Sequence, residues 1–138
     1  MATSEFMVMK MVDFCYGHRL LNYNGKCKNL HGHNGQIEIY IGSGSLDELG
    51  MVVDFTEIKP VVKCWVDENL DHRLLLCCKD PLVPLLQQMG EPIYLMDENP
   101  TAENIARHIY QEVKRQKFNV TEVRLWESSS SFASYRET

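Results

Sequence analysis

His31-Gly32-His33 sets two imidazoles two residues apart. On an extended segment, residues i and i+2 project from one face, so both rings can reach one metal ion. Gly32 keeps the backbone between them uncrowded. Two ligands are too few, and His18 is the best-placed third. Three of the five histidines fall between positions 18 and 33, and His18 closes an apolar stretch that reads as the neighbouring antiparallel strand. Three neutral imidazoles leave the fourth position of a zinc ion open, the arrangement of a catalytic site rather than a structural one. An H-x-H pair also occurs as ordinary surface or core histidine; the clustering favours zinc.

Three further clusters could carry chemistry. Cys27 stands four residues before His31, flanked by Lys26 and Lys28, the electropositive setting in which reactive thiols occur. Its spacing to the histidines is short for a zinc finger and no second cysteine lies near, so a base or nucleophile fits better than a structural ligand. The alternative is an exposed loop thiol. Leu70-Asp71-His72 sets a carboxylate beside an imidazole, able to orient or relay a proton, although neighbours on an extended segment face opposite ways. Such a pair can equally do no more than end a helix. Trp126-Glu127 precedes four serines at the end of a predicted strand. A carboxylate there is either solvated or takes the paired N–H edge of an amidine-like heterocycle in bidentate fashion.

Those residues need elements to hold them. Met7 to Phe14 reads as one strand, and Gln36 to Ile41 as another, with Ile37, Ile39 and Ile41 on one face. Asp54 is a helix cap with Glu57 as its capping-box partner, followed by Ile58, Val61, Val62, Trp65 and Val66 at helical spacing. Pro60 inside that window should kink the helix or delay its regular part. Residues 70 to 99 read as irregular, punctuated by Pro81, Pro84, Gly90 and Pro92. Asn99 or Thr101 can cap a second helix, with Pro100 suited to its first turn and Ala102, Ile105, Ala106, Ile109, Tyr110 and Val113 as its buried stripe. Val120 to Trp126 and Ser131 to Tyr135 form a closing pair of strands. The order ββααββ predicts an α+β fold, an antiparallel sheet with two helices on one face.

Composition narrows the function classes. The 138 residues fit one domain, residues 1–138, and 44% apolar content supports a core. A net charge of −5 excludes a general nucleic-acid binder, since phosphate contacts need surplus Lys and Arg. No apolar stretch approaches a membrane span, and the polar opening Met1-Ala2-Thr3-Ser4-Glu5 has no export signal, so the expected location is the cytoplasm. Five cysteines, with Cys77 and Cys78 adjacent, suit a disulfide framework badly.

The chain resembles the 6-pyruvoyltetrahydropterin synthase family, and within it the bacterial 6-carboxytetrahydropterin synthases. The resemblance runs nearly end to end. It is carried by Gly17-His18-Arg19-Leu20, Gly25-Lys26-Cys27, Leu30-His31-Gly32-His33-Asn34 and Gly50-Met51-Val52-Val53-Asp54-Phe55. Leu70-Asp71-His72, Pro100-Thr101-Ala102-Glu103-Asn104 and Trp126-Glu127 complete it. It implies the tunnelling fold (T-fold), whose ββααββ subunits join their sheets into a trimeric barrel, two trimers stacking as a homohexamer. It implies Zn2+ on His18, His31 and His33, Cys27 as general base, and Asp71 and His72 as its relay pair. Glu127 would anchor the pterin ring, with Thr101 and Glu103 at positions that line the pterin pocket, often from a neighbouring subunit. The implied substrate is 7,8-dihydroneopterin triphosphate, and Arg19, Lys26 and Lys28 are expected to form a basic mouth for its polyanionic tail.

The Cys27-to-His31 spacing, C-x-x-x-H-G-H, matches the bacterial carboxy-forming branch; the animal pyruvoyl-forming branch carries an insertion there. Two positions depart from the family. Cys15-Tyr16-Gly17 stands where small residues usually precede the first ligand histidine, and Gly35 stands where an aromatic usually follows His-Gly-His-Asn. Neighbouring strands would let Tyr16 occupy the space of the missing aromatic. The rival readings are a non-catalytic zinc- or pterin-binding paralogue, a zinc hydrolase, and structural histidines. The hydrolase would need a carboxylate base where this chain has a thiol.

Overall fold

The computed structural model describes residues 5–138; Met1 to Ser4, most of the polar opening segment, lie outside the described residues. The elements run β1 (Phe6–His18), a 3-10 turn (Lys26–Lys28), β2 (His31–Ser43), α1 (Phe55–Asn69), β3 (Arg73–Cys77), α2 (Leu82–Gln88), β4 (Ile93–Met96), α3 (Ala102–Arg115), β5 (Val120–Ser128) and β6 (Ser131–Tyr135). Six strands form one sheet in the order β4-β3-β1-β2-β5-β6.

The β1–β2 ladder dominates. It pairs Phe6 with Ser43 at one end and His18 with His31 at the other, without a break. Both strands outrun the segments expected from sequence because Cys15 to His18 and His31 to Gly35 pair across even though their own alternation is weak. On the inner face lie Val12, Phe14, Tyr16 and Ile37, Ile39, Ile41, all buried. Helices α1 and α3 cover that face. Ile58, Val62 and Val66 of α1 and Ile105, Ala106, Ile109 and Val113 of α3 join the strand residues in one core cluster.

The helix starts follow the expected chemistry in part. The Asp54 carboxylate accepts from the Thr56 N–H at 2.9 Å, so Asp54 is the cap, but the bond falls two residues on rather than closing a box with Glu57. Pro60 does not delay α1, which runs from Phe55 through Asn69 with the proline inside it. It is exposed, and the carbonyl it leaves without a helical donor belongs to Thr56, itself an exposed residue. Thr101 rather than Asn99 caps α3, accepting from Asn104 N–H at 3.1 Å. Asn99 is engaged elsewhere: its side chain accepts from Leu21 N–H and donates to Leu21 O.

Residues 70–99 differ most from expectation. They are a compact β3–α2–β4 unit, so the sheet is mixed and carries three helices. β3 runs parallel to β1, pairing Tyr16 with Arg73 and His18 with Leu75, and β4 runs parallel to β3. The continuous run Leu74-Leu75-Leu76-Cys77 has the pattern of a strand buried on both faces, which shows no alternation. Pro84 falls in the first turn of α2, where its missing N–H has no intrahelical partner to lose. Gly90, at φ +75°, ends that helix in the left-handed conformation, its N–H and that of Glu91 bonding back to Gln87 O and Leu86 O.

Candidate metal and substrate site

The β1–β2 register builds the histidine cluster. His18 lies opposite His31 and Tyr16 opposite His33, so all four side chains share the inner face. One nitrogen from each of His18, His31 and His33 falls within 4.8 Å of the other two. Backbone carbonyls fix two of the rings. His18 Nδ1–H donates to Pro100 O at 2.6 Å, and His31 Nδ1–H donates to Asn29 O at 2.8 Å. In the neutral imidazole that tautomer leaves Nε2 as the free ligating nitrogen. His18 Nε2 lies 3.2 Å from His33 Nε2. Burial, aided by the two neighbouring imidazoles and opposed by the Pro100 bond, lowers the His18 pKa to about 4. A neutral, carbonyl-oriented imidazole is the form that ligates metal, so the donor set fits a zinc ion and leaves room for a further ligand.

Glu127 reaches the same place from β5. The β5–β6 register shifts between Trp126 and Ser128, leaving Glu127 as the extra residue of a bulge, a device that re-aims a side chain. Its Oε1 lies 3.9 Å from His18 Nε2 and accepts from Tyr16 Oη–H at 3.5 Å. Tyr16 is 3% exposed and stacks on Phe14, ring centroids 4.8 Å apart with 12° between planes. Phe14 pairs directly with Gly35. A Cβ at position 35 would lie 2.8 Å from Phe14 Cε1 and 3.0 Å from Tyr16 Cε1. The two rings therefore fill the volume that a side chain at 35 would need.

Asp71 and His72 lie in the turn between α1 and β3. They do not face opposite ways, because the segment is not extended: His72 has φ +59°, and its Nδ1–H donates to Asp71 Oδ2 at 2.8 Å. The pair is pinned to β1, with Cys15 N–H donating to Asp71 Oδ1 at 2.9 Å and His72 N–H donating to Cys15 O at 2.7 Å. Burial opposes the Asp71 charge, yet the bonds from Cys15 and His72 hold its carboxyl below the usual range. His72 borders an open cleft of about 640 Å3 together with His31, His33, Cys15 and Arg73.

The remaining residues are dispersed. Cys27 sits half-buried in the 3-10 turn, its carbonyl accepting from Leu20 N–H; it does not border that cleft. Lys26 and Lys28 flank it, exposed. Arg19 is engaged elsewhere: its guanidinium forms a forked pair with Asp80, whose side chain is fully buried, Nε–H donating to Oδ2 at 2.7 Å. That pair and the Leu82 N–H hold the Asp80 carboxyl well below the usual range. Thr101 caps α3, and Glu103 lies exposed in its first turn. Thr101 follows Pro100, whose carbonyl accepts from His18. From the sequence, no site role falls to Asp80, Pro100 or Arg73. A carbonyl acceptor such as Pro100 O leaves no trace in residue type, and Arg73 could be noticed only as the residue after Asp-His.

A family model for 6-pyruvoyl tetrahydropterin synthase matches residues 7–138. The chain belongs to that family. It is 42% identical over 130 residues to the 6-carboxy-5,6,7,8-tetrahydropterin synthase of Rickettsia bellii, covering 89% of this chain and 94% of that one. The protein of the same name from Haemophilus influenzae is 33% identical over 141 residues, covering 96% and 99%. Among solved structures, an uncharacterized protein of Wolinella succinogenes superposes with a TM-score of 0.84 at 24% identity over 98% of this chain and 99% of that one. The 6-pyruvoyl tetrahydropterin synthase of Caenorhabditis elegans gives 0.72 at 21% identity over 99% and 98%. The fold is thus the tunnelling fold, and at family level the chain is a pterin synthase, a lyase.

Proposed function

We propose that this protein converts 7,8-dihydroneopterin triphosphate to 6-carboxy-5,6,7,8-tetrahydropterin, releasing acetaldehyde and triphosphate, in 7-deazaguanine (queuosine) biosynthesis in the cytoplasm. The observation that carries the reading is the convergence of three imidazoles, two of them oriented by main-chain carbonyls, with the Glu127 carboxylate. The C-x-x-x-H-G-H spacing and the names of the 42%-identical relatives favour the carboxy product.

His18, His31 and His33 would hold zinc, which when bound supplies Lewis-acid polarisation of substrate oxygens and so acidifies adjacent C–H and O–H bonds. Pro100 O and Asn29 O keep two of those rings in the ligating tautomer. Glu127 takes the paired N–H edge of the pterin, a charge-assisted contact that fixes the ring. Cys27 is the general base. Asp71 keeps the His72 ring oriented through its Nδ1–H, leaving Nε2 to receive and return a proton. With Arg19 neutralised by Asp80, Lys26 and Lys28 are the cations left for the triphosphate, and Arg73 at the cleft wall joins them.

One experiment tests the reading: incubation with 7,8-dihydroneopterin triphosphate, with and without chelator. Chelator-sensitive acetaldehyde release is the expected result. A pyruvoyl product without acetaldehyde would move the chain to the other branch, and no product from zinc-loaded protein would leave a non-catalytic pterin-binding module.

A further inference from the structure

A tyrosine that only filled the space beside Phe14 could as well be phenylalanine. Tyr16 is 3% exposed, and a phenol hydroxyl buried that deeply needs a polar partner. The one hydrogen bond its hydroxyl makes among the described residues is to Glu127 Oε1. Tyr16 belongs to β1 and Glu127 to β5, and β2 lies between them in the sheet. The phenol therefore passes over β2, and it does so above Gly35: a Cβ there would stand 3.0 Å from its Cε1. The same ring sets its edge against His18, centroids 5.2 Å apart at 77°, and lies 5.5 Å from His33. Glu127, in turn, makes no other side-chain hydrogen bond among the described residues, so its second oxygen is open to a ligand.

We propose that Tyr16 is a positioning residue: crossing β2 through the gap left by Gly35, its hydroxyl holds the Glu127 carboxylate in the orientation that receives the substrate's ring. Tyr16 and Gly35 act as one device, since any side chain at 35 closes the passage. The inference rests on the reading of Glu127 as the pterin anchor.

The test uses the zinc-loaded full chain. Tyr16→Phe keeps the ring and removes only the hydroxyl, so folding, melting temperature and zinc content should stay at wild-type values. KM for 7,8-dihydroneopterin triphosphate should rise roughly five- to tenfold, the loss of one hydrogen bond to a charged group, while kcat holds within about twofold. Added to Glu127→Ala, which leaves the hydroxyl no acceptor at that position, the same change should have no further effect, because its route is through that side chain. Gly35→Ala should raise KM with Tyr16 still present. An unchanged KM in Tyr16→Phe, or a penalty of full size in the Glu127→Ala background, overturns the inference while the functional reading stands. Absence of turnover by the wild-type protein overturns both.

Discussion

At the scale of single residues, what each imidazole and thiol is bonded to decides what it can do. His18 and His31 donate Nδ1–H hydrogen bonds to main-chain carbonyls and His33 completes the cluster, so removing any one ring should empty the site. His31→Ala and His33→Ala are predicted to purify without stoichiometric zinc at unchanged secondary structure, measured by metal analysis and far-UV circular dichroism; retained zinc contradicts the triad. Two thiols compete for the role of base. Cys27 precedes His31 in the loop, whereas Cys15 borders the cleft beside His72 with its Sγ–H on Asn34 Oδ1 at 3.0 Å. Cys27→Ser should lower kcat about a hundredfold or more, within the range general bases contribute, and Cys15→Ser should leave it within a few-fold. The reverse ranking would transfer the role to Cys15.

At the scale of elements, the Arg19–Asp80 pair ties the end of β1 to the start of α2, and Thr101 sets the start of α3 beside His18. Asp80→Asn weakens the charge-assisted bonds from Arg19 and Leu82 but leaves a partly exposed guanidinium that water can reach, so it should cost about 2 kcal/mol in urea unfolding. The pH dependence has a definite sign. Because the folded pKa of Asp80 lies below its ordinary 3.8, its contribution is complete above that value and is lost as pH falls toward the folded pKa. Wild-type stability should therefore decline with acid in that window, and Asp80→Asn should flatten the decline. Thr101→Ala removes the α3 cap and should cost about 1 kcal/mol, read from the same titrations. The strands and helices with a clean period were legible in the sequence: Ile37, Ile39 and Ile41 marked β2, and the Ile105–Val113 stripe marked α3. The β3–α2–β4 unit was not, because Leu74 to Cys77 is apolar without alternation and the prolines that looked like breakers sit in a first turn or outside the elements. The site was legible where it rests on residue type and register, as for His18, His31 and His33. It was not where it rests on backbone geometry: the left-handed His72 that folds back on Asp71, the bulge at Glu127, the carbonyl of Pro100.

At the scale of the whole molecule, the sheet ends in β4 and β6, whose outer edges have no strand partner among the described residues. Exposed sheet edges tend to pair with further chains. Phe6, Met7, Leu49 and Phe55 are also exposed near the Asp47–Met51 turn, an apolar surface that a partner subunit would cover. We propose a homohexamer built as two trimers; sedimentation should find a species six times the 16.0-kDa chain, and a monomer at micromolar concentration contradicts it. Among the described residues no helix is long and apolar enough to cross a membrane. The net charge of −5 is unevenly used: Arg19 is neutralised, while Lys26 and Lys28 stand exposed around Cys27. The claim that joins these scales is that one carboxylate and three imidazoles process a pterin triphosphate with loss of its side chain. Acetaldehyde assayed during incubation with 7,8-dihydroneopterin triphosphate tests it most directly. Release in step with substrate loss, abolished by chelator and restored by zinc, is the expected result; zinc-loaded protein that consumes the substrate without acetaldehyde, or leaves it intact, contradicts it.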